Sequence, residues 1–382
     1  MYSLAGYGSM VRDRIRVNAY AQALRSVVRR DSVVVDLGTG PGIFAILACQ
    51  LGARKVYAIE PSHIIQVARD AAADNHCADR IEFIQDLSTR VNLPERADVI
   101  VSDLRGVLPL FQRHIPTIMD ARRRFLSPGG VVIPARDTLW VSVVEAPQLY
   151  DRFVDCWRNT SLQQDLGAAR RLATNDPQSI RKEPAELLTD PHLWALLDYA
   201  TVQNPDVSGS FSASALRAGI GHGLVVWFDT HLRDDCSFSN APNAPEAIYG
   251  SLFFPWSEPV TLSAGQPLRI HLDARLVGND YLWSWTTQVQ SANDSGKIVA
   301  QLEQSQFHSL PISLARLHKA GSKYIPRLCD EGRIHLRAFE LMDGQKSLEV
   351  VARTLAVEFP LRFTRWQEAL SYAGALAQEY SL

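Results

Sequence analysis

Cysteine is scarce in this sequence: five in 382 residues, at positions 49, 77, 156, 236 and 329. The number is odd, the positions lie far apart and no Cys-x-x-Cys occurs. That argues against a disulfide framework and a zinc site, and for a reducing compartment. An excess of one charge is also missing: 39 Lys/Arg against 41 Asp/Glu leave −2, which gives no basic footprint for nucleic acid. The one small cluster, "ARRRF" at 121–125, reads as the solvated end of a helix. No apolar run approaches ~18 residues, so no bilayer span is expected. The opening "MYSLAGYGSMVRDRIR" lacks the apolar core of a signal peptide, and a cytoplasmic location is the resulting expectation. Histidines 222, 231, 308, 318 and 335 never fall at paired ligand spacing near carboxylates, and no Gly-x-Ser-x-Gly elbow occurs. His222, before a strand, is expected to be structural.

What is present is a globular composition, 46% hydrophobic and 21% charged, in a chain long enough for two or three domains. Met10, Ile15, Tyr20, Leu24 and Val28 mark a helical stripe over 10–28. "SVVVDLG" (32–38) is a β-branched run suited to a parallel strand buried on both faces. "KVYAIEP", "RIEFIQD" and "ADVIVSD" repeat the pattern, with helices between, and "TIMDARRRFLSPGG" reads as a helix with a Pro-Gly stop. This alternation predicts a doubly wound, Rossmann-like α/β sheet. Residues 148–200 read as short helices and loops. From 219 to 312 strands follow one another without helices, which predicts an all-β, antiparallel segment. "HKAGSK" (318–323) looks like a hinge, and the remainder is helical.

"DLGTGPG" (36–42) follows the first strand and opens a helix. Glycines 38, 40 and 42 let a ligand approach the backbone and leave the helix N-terminus as a polar cradle. Glu60 ends the second strand, twenty residues after Gly40, where an acid can accept both hydroxyls of a ribose. A dinucleotide and S-adenosylmethionine both fit. Asp36 before the loop, and Pro41, which removes an N–H that a pyrophosphate would want, favour the methyl donor. Asp86, ending the third strand, is either an adenine contact or a solvated turn residue.

The stretch "VVVDLGTGPGIFAILACQLGARKVYAIEPS" resembles the first motifs of the protein arginine methyltransferase family. "MVRDRIRVNAY" (10–20), "FLSPGGVVIPARDTLWVSVVE", "GHGLVVWFDTHL" (221–232) and "DYLWSW" (280–285) are similar to further segments of it, so that the resemblance covers about residues 2–310. It implies a methyltransferase domain over 1–135 and a β-barrel domain over 136–318. Within the latter, a helical arm at about 155–205 would join two subunits as a homodimer, with Leu187, Leu193 and Trp194 of "PAELLTDPHLWALLD" as helical apolar residues. Packing within one subunit is the other reading of that segment. The resemblance also implies S-adenosylmethionine as cofactor and S-adenosylhomocysteine as product. Met10 would pack near the sulfonium and Arg16 would pair with the cofactor carboxylate. Asp36, Gly38 and Gly40 would hold the methionine part, and Glu60 the ribose.

In that family the loop after the fourth strand carries two glutamates that clamp a guanidinium. Here Asp103 and Gln112 stand at their places and are the candidate catalytic residues. Aspartate keeps the charge on a shorter stem, whereas glutamine loses it, which costs on the order of 2–5 kcal/mol for a cation held in a dry pocket. A Thr-His-Trp triplet of the family is replaced by Ala247, Ile248 and Tyr249. Arg105, inside the same loop, either pairs with Asp103 or contacts substrate. "FELMDGQKSLEVVARTLAVEF" resembles a winged-helix-like module of the PqqD type, which binds leader peptides, within a small helical unit over 319–382. Ser347 would cap a helix with Val350, Val351 and Leu355 facing in; a plain three-helix module is the alternative. The functional expectation is an S-adenosylmethionine-dependent N-methyltransferase acting on a peptide, protein or small-molecule nitrogen. The other reading is a catalytically silent homologue serving as a peptide-binding scaffold or partner subunit.

Overall fold

The computed structural model describes residues 3–158, 161–181, 185–294 and 296–381. They fall into two units, Met1–Leu310 and Pro311–Leu382. Among the described residues no helix is long and apolar enough to cross a membrane.

The first unit opens with helices α1 (Leu4–Arg12) and α2 (Arg14–Val27). The stripe expected to form one helix breaks at Asp13, whose carboxylate accepts the Arg16 N–H at 3.1 Å and caps α2. An N-cap of this kind is worth about 1 kcal/mol, because it satisfies a donor that a helix start leaves free. Tyr20 and Leu24 bury the inner face of α2, while α1 buries no side chain fully.

Five parallel strands follow: β1 (Val33–Leu37), β2 (Lys55–Ile59), β3 (Ile81–Ile84), β4 (Ala97–Ser102) and β5 (Leu126–Ile133). Helices α3 (Ile43–Gln50), α4 (Ile65–Asp74) and α5 (His114–Phe125) join them, and the strand order is β3-β2-β1-β4-β5. Val34 packs into one core cluster while Val33, Val35 and Leu37 pack into another. That is why the strand is apolar at every position but Asp36: alternate side chains point to opposite faces and both faces are covered. The order reverses between β1 and β4, which opens a crevice at their carboxyl ends. The register Leu37↔Ser102 sets the glycine loop beside the loop that starts at Asp103. Helix α5 ends at Phe125, before the expected Pro-Gly stop, and "LSPGG" runs on as strand with Gly129 at φ +77°.

Beyond it, β6 (Arg136–Glu145), α6 (Pro147–Phe153) and α7 (Gly167–Ala173) lead into the short strands β7 (Gln178–Ile180), β8 (Glu186–Leu187) and β9 (His192–Asp198). Then come β10 (Val207–Ser214), β11 (Gly219–Arg233), β12 (Cys236–Ser239), β13 (Ser251–Leu262), β14 (Pro267–Val277), β15 (Asp280–Gln290) and β16 (Ile298–Ser305). One antiparallel sheet runs β7-β13-β11-β6-β8, with β9 also on β6 and β12 on β11; another runs β10-β14-β15-β16. Trp283 and Trp285 on β15 and Phe254 and Trp256 on β13 fill their shared core.

Within 155–205, where a helical arm was expected, α7 is helical, but the reading of Leu187, Leu193 and Trp194 as helical residues is corrected. "HLWALLD" is strand β9, antiparallel to β6, with Trp194 and Leu197 buried and Leu193 and Leu196 exposed. Leu187 lies on β8, paired with Val144. A register shift between Leu139 and Trp140 displaces the inward positions on β9 from strict alternation, so the sequence mimics helical spacing. Residues 159–160 and 182–184 of that span lie outside the described residues.

The second unit has α8 (Leu314–Ala320), which ends inside the hinge expected at 318–323, then α9 (Asp330–Leu341), α10 (Leu348–Glu358) and α11 (Trp366–Tyr380). Ile334, Ala338, Val351, Leu355, Ala369 and Ala373 are among its core residues. Ser347 caps α10 as expected, accepting from the Val350 N–H, but Val350 itself is exposed. Among the described residues this unit contains no strand, hence no wing.

Candidate active site

The crevice between β1 and β4 is built from backbone first. Gly38, Gly40 and Gly42 have φ of +70°, +54° and +85°, a region that side chains with a Cβ avoid. A Cβ at Gly38 would strike the Leu104 side chain, and one at Gly40 would stand 3.1 Å from the Tyr7 ring of α1. The Gly38 and Thr39 N–H groups donate to the Ile59 carbonyl, which ties the loop to β2. Glu60 follows directly: its carboxylate accepts the Gly40 N–H at 3.2 Å and the Ser62 N–H at 3.0 Å. Asp36, buried at the end of β1, accepts the Thr39 hydroxyl at 2.6 Å. Burial, reinforced by the nearby Glu60 and Asp103 charges, outweighs the Thr39 hydrogen bond and lifts its carboxyl to about 7.

On the other wall, Asp103 is enclosed by donors. Arg16 Nη1 lies 2.5 Å from its Oδ2, the Tyr249 hydroxyl donates to its Oδ1 at 2.6 Å, and Arg105 Nε and Nη2 stand 3.3 and 3.2 Å from Oδ1. Burial alone would raise this carboxyl, but Arg105, Arg16 and the Tyr249 hydroxyl hold it below its usual range. Arg105 has no side-chain exposure. Its Nη1 donates to Asp137 at 2.9 Å and to Thr230 at 2.7 Å, and its Nη2 to the Tyr20 hydroxyl at 2.6 Å. A guanidinium has five N–H donors, so every one is used. The rings of Tyr20, Phe228, Phe238 and Tyr249 lie 5.3–5.8 Å from its carbon, within cation–π range.

The network continues inward. Tyr199 donates its hydroxyl proton to Asp137 at 2.6 Å, so His114 Nε2, 3.0 Å away, donates to Tyr199. Its Nδ1 then carries an unpartnered lone pair. Burial, helped by Arg105, pushes this imidazole down to about 3, so it is neutral.

Most of the residues expected at the site are gathered here. Asp36, Gly38, Gly40, Glu60, Arg16 and Asp103 line the crevice. Met10 is half-buried on α1, and its carbonyl accepts from Arg16 Nη2 at 2.6 Å. Arg16 pairs with Asp103 rather than standing free for a ligand carboxylate, yet its Nε is buried without a partner. Arg105 pairs with Asp103, the structural alternative. Asp86 behaves as a turn residue, accepting the Leu87 N–H at 2.7 Å with Arg90 at 3.8 Å. Gln112 is exposed at φ +44° and makes no hydrogen bond to the Asp103 cluster. It lies in a left-handed turn just before α5, whereas Asp103 is held in the buried network. His222 is structural, accepting the Ala146 N–H at 3.2 Å.

Tyr249 was noted in sequence only as a departure from the family's triplet, and Asp137, Tyr199 and His114 were not singled out, although Asp137 offered a signal: a carboxylate near the start of an otherwise apolar strand. Tyr249 is placed by its neighbour. The Ile248 N–H donates to Asp13 at 2.8 Å, and Asn240 bonds the Val107 carbonyl at 3.2 Å and the Gly250 carbonyl, fixing the loop.

Comparison with known proteins bears on both halves of the first unit. Residues 19–133 match the family model described as ribosomal protein L11 methyltransferase, and residues 135–276 match that of the arginine methyltransferase oligomerization subdomain. Neither reaches the last sixty or so residues, so the PqqD-type reading gains no support. A probable protein arginine N-methyltransferase 6 of Arabidopsis thaliana is 28% identical over 251 residues, covering 63% of this chain and 57% of that one. Protein arginine N-methyltransferase 6 of Danio rerio is 32% identical over 231 residues, covering 57% of this chain and 66% of its own length. The matched part thus spans somewhat less than two thirds of these relatives. Among solved structures, the Trypanosoma brucei PRMT1 enzyme–prozyme heterotetrameric complex with AdoHcy superposes at TM-score 0.70 and 22% identity, covering 78% of this chain and 96% of that one. Arabidopsis thaliana protein arginine methyltransferase 10 gives 0.68 and 23%, covering 80% and 98%. These two likenesses establish the fold.

Proposed function

Because the chain belongs to the protein arginine N-methyltransferase family, we propose that it is an S-adenosylmethionine-dependent methyltransferase acting on a nitrogen of a peptide, protein or small molecule. The observation that carries this is the cradle at the crevice: Gly38 and Gly40 in left-handed turns, Glu60 tied to the Gly40 N–H, and Arg16 Nε buried without a partner. An unpaired donor on a guanidinium 5.7 Å from the ring of Phe44, in the helix that the glycine loop opens, suits a ligand that carries a carboxylate. Glu60 suits a ribose diol, and Asp36 suits a positive charge when ionised. Bound there, S-adenosylmethionine supplies a methyl group activated by its sulfonium and leaves as S-adenosylhomocysteine.

This chain's residues then position and desolvate rather than act as a strong base. Asp103 already has its lone pairs taken by two arginines and a tyrosine. Under this proposal it anchors the crevice loop rather than clamping an acceptor, and Gln112 contributes no contact. The acceptor must release a proton as its new N–CH3 bond forms, and water or the acceptor's own surroundings take it.

A homodimer through the segment matching the oligomerization subdomain belongs to the same proposal. The exposed Leu193 and Leu196 of β9 suit an apolar contact, and light scattering tests it. A cytoplasmic setting fits the five free cysteines. The second reading, a cofactor-binding subunit without turnover, is favoured by the burial of Arg105 among its own partners.

One experiment separates the readings: calorimetric titration with S-adenosylhomocysteine, then labelled-methyl transfer in native lysate. Binding that Glu60→Ala weakens, with transfer, supports the enzyme. Binding without transfer supports the silent subunit. Absence of binding removes both.

A further inference from the structure

We propose that Arg105 is the chain's own occupant of a guanidinium cage beside the donor crevice, and that by filling this cage it restricts the enzyme to uncharged nitrogen acceptors. The inference rests on the methyltransferase reading for its second half only. The cage is complementary to a guanidinium from every side. Asp103 and Asp137 supply carboxylates, and Tyr20, Phe228, Phe238 and Tyr249 supply ring faces within 5.8 Å. Planar forked donors and delocalised charge are what such a site selects.

Position distinguishes this from an ordinary buried ion pair. Arg105 belongs to the crevice loop itself. Its neighbour Leu104 lies against Gly38, and a Cβ on its other neighbour, Gly106, would stand 2.5 Å from Phe111, so the backbone is held on both sides. The side chain therefore enters the cage from the loop whose first residue is Asp103. Two further facts oppose a second cation. Arg105 Nε and Nη2 occupy Asp103 Oδ1, and Arg16 Nη1 occupies Oδ2 and brings another positive charge 2.5 Å from that carboxylate. A protonated amine or a guanidinium brought to Asp103 finds both carboxylate oxygens already held by arginine donors and gains no ion pair there, whereas a neutral imidazole or amide nitrogen needs none.

The test vacates the cage. Thermal unfolding of the full chain is followed in millimolar methylguanidinium chloride against sodium chloride of equal ionic strength. Wild type should not respond, and Arg105→Ala should gain a few degrees. Arg105→Ala/Asp137→Asn, which leaves no second carboxylate unpaired, should gain less but still exceed wild type. No gain in either variant overturns the cage, as does failure to recover either one folded from buffer containing the cation. For the acceptor, labelled methyl transfer by wild type to arginine peptides overturns the restriction. Transfer to histidine peptides with arginine peptides unlabelled supports it. Loss of S-adenosylhomocysteine binding would defeat the methyltransferase reading while leaving the cage result standing.

Discussion

The Tyr249 hydroxyl stands 2.6 Å from Asp103 Oδ1, joining residues 146 positions apart. It gives the nearly buried carboxylate a protein donor and ties the crevice loop to the segment before β13. Tyr249→Phe removes that donor while keeping the ring that faces Arg105. A hydrogen bond to a charged group contributes about 1.5–3 kcal/mol, so the urea midpoint should fall accordingly. An unchanged midpoint would show that the contact carries no weight.

Gln112 sits at φ +44° and is exposed. Gln112→Gly should therefore stabilise, by roughly 0.5–1 kcal/mol, because glycine occupies this region without a Cβ clash. Gln112→Glu should leave stability within about 0.5 kcal/mol, as surface changes do, and should not raise methylation of arginine peptides. A rise in such methylation would restore the two-acid clamp as an explanation.

His114 stays neutral in the fold, pushed down to about 3 from an ordinary value of 6.5. The unfolded chain binds a proton that the folded one refuses, so the contribution is complete above pH 6.5 and is lost as pH falls toward 3. The loss over that window is on the order of a few kcal/mol. Equilibrium unfolding of His114→Gln should show a flatter limb between about pH 6.5 and 4 than wild type. Below that range the ordinary carboxylates titrate in both. Parallel limbs would assign the acid sensitivity elsewhere.

Asp36 moves the other way, up to about 7, with Glu60 and Asp103 as the charges facing it. Its folded form holds a proton that the unfolded form releases. Its contribution to stability is therefore full below the ordinary value of 3.8 and gone once pH passes about 7. Binding should run opposite. S-adenosylhomocysteine carries an ammonium group, so its affinity should rise as pH increases through about 7, and Asp36→Asn should abolish that rise. Calorimetric titration across the window decides it.

The parallel sheet was legible because both of its faces are covered: runs such as Val33–Leu37 carry the signal in every residue. The glycine loop and Glu60 were legible because backbone sterics fix their spacing locally. Strand β9 was not, since its inward positions are set by a partner's register shift that its own residues do not record. The cage was hidden for a related reason. Arg105, Asp137 and Thr230 are distant in sequence, and nothing in any one of them names the other two. Only closure of one sheet on the other makes them neighbours.

Arg105 reaches from the loop after β4 to Asp137 on β6 and Thr230 on β11, all without solvent exposure at the contacts. A single cation thus rivets the parallel layer to the antiparallel one. Pulling the layers apart strands charges on both. The segment up to Leu310 should consequently melt in one calorimetric peak, with equal van't Hoff and calorimetric enthalpies, instead of losing its layers in succession.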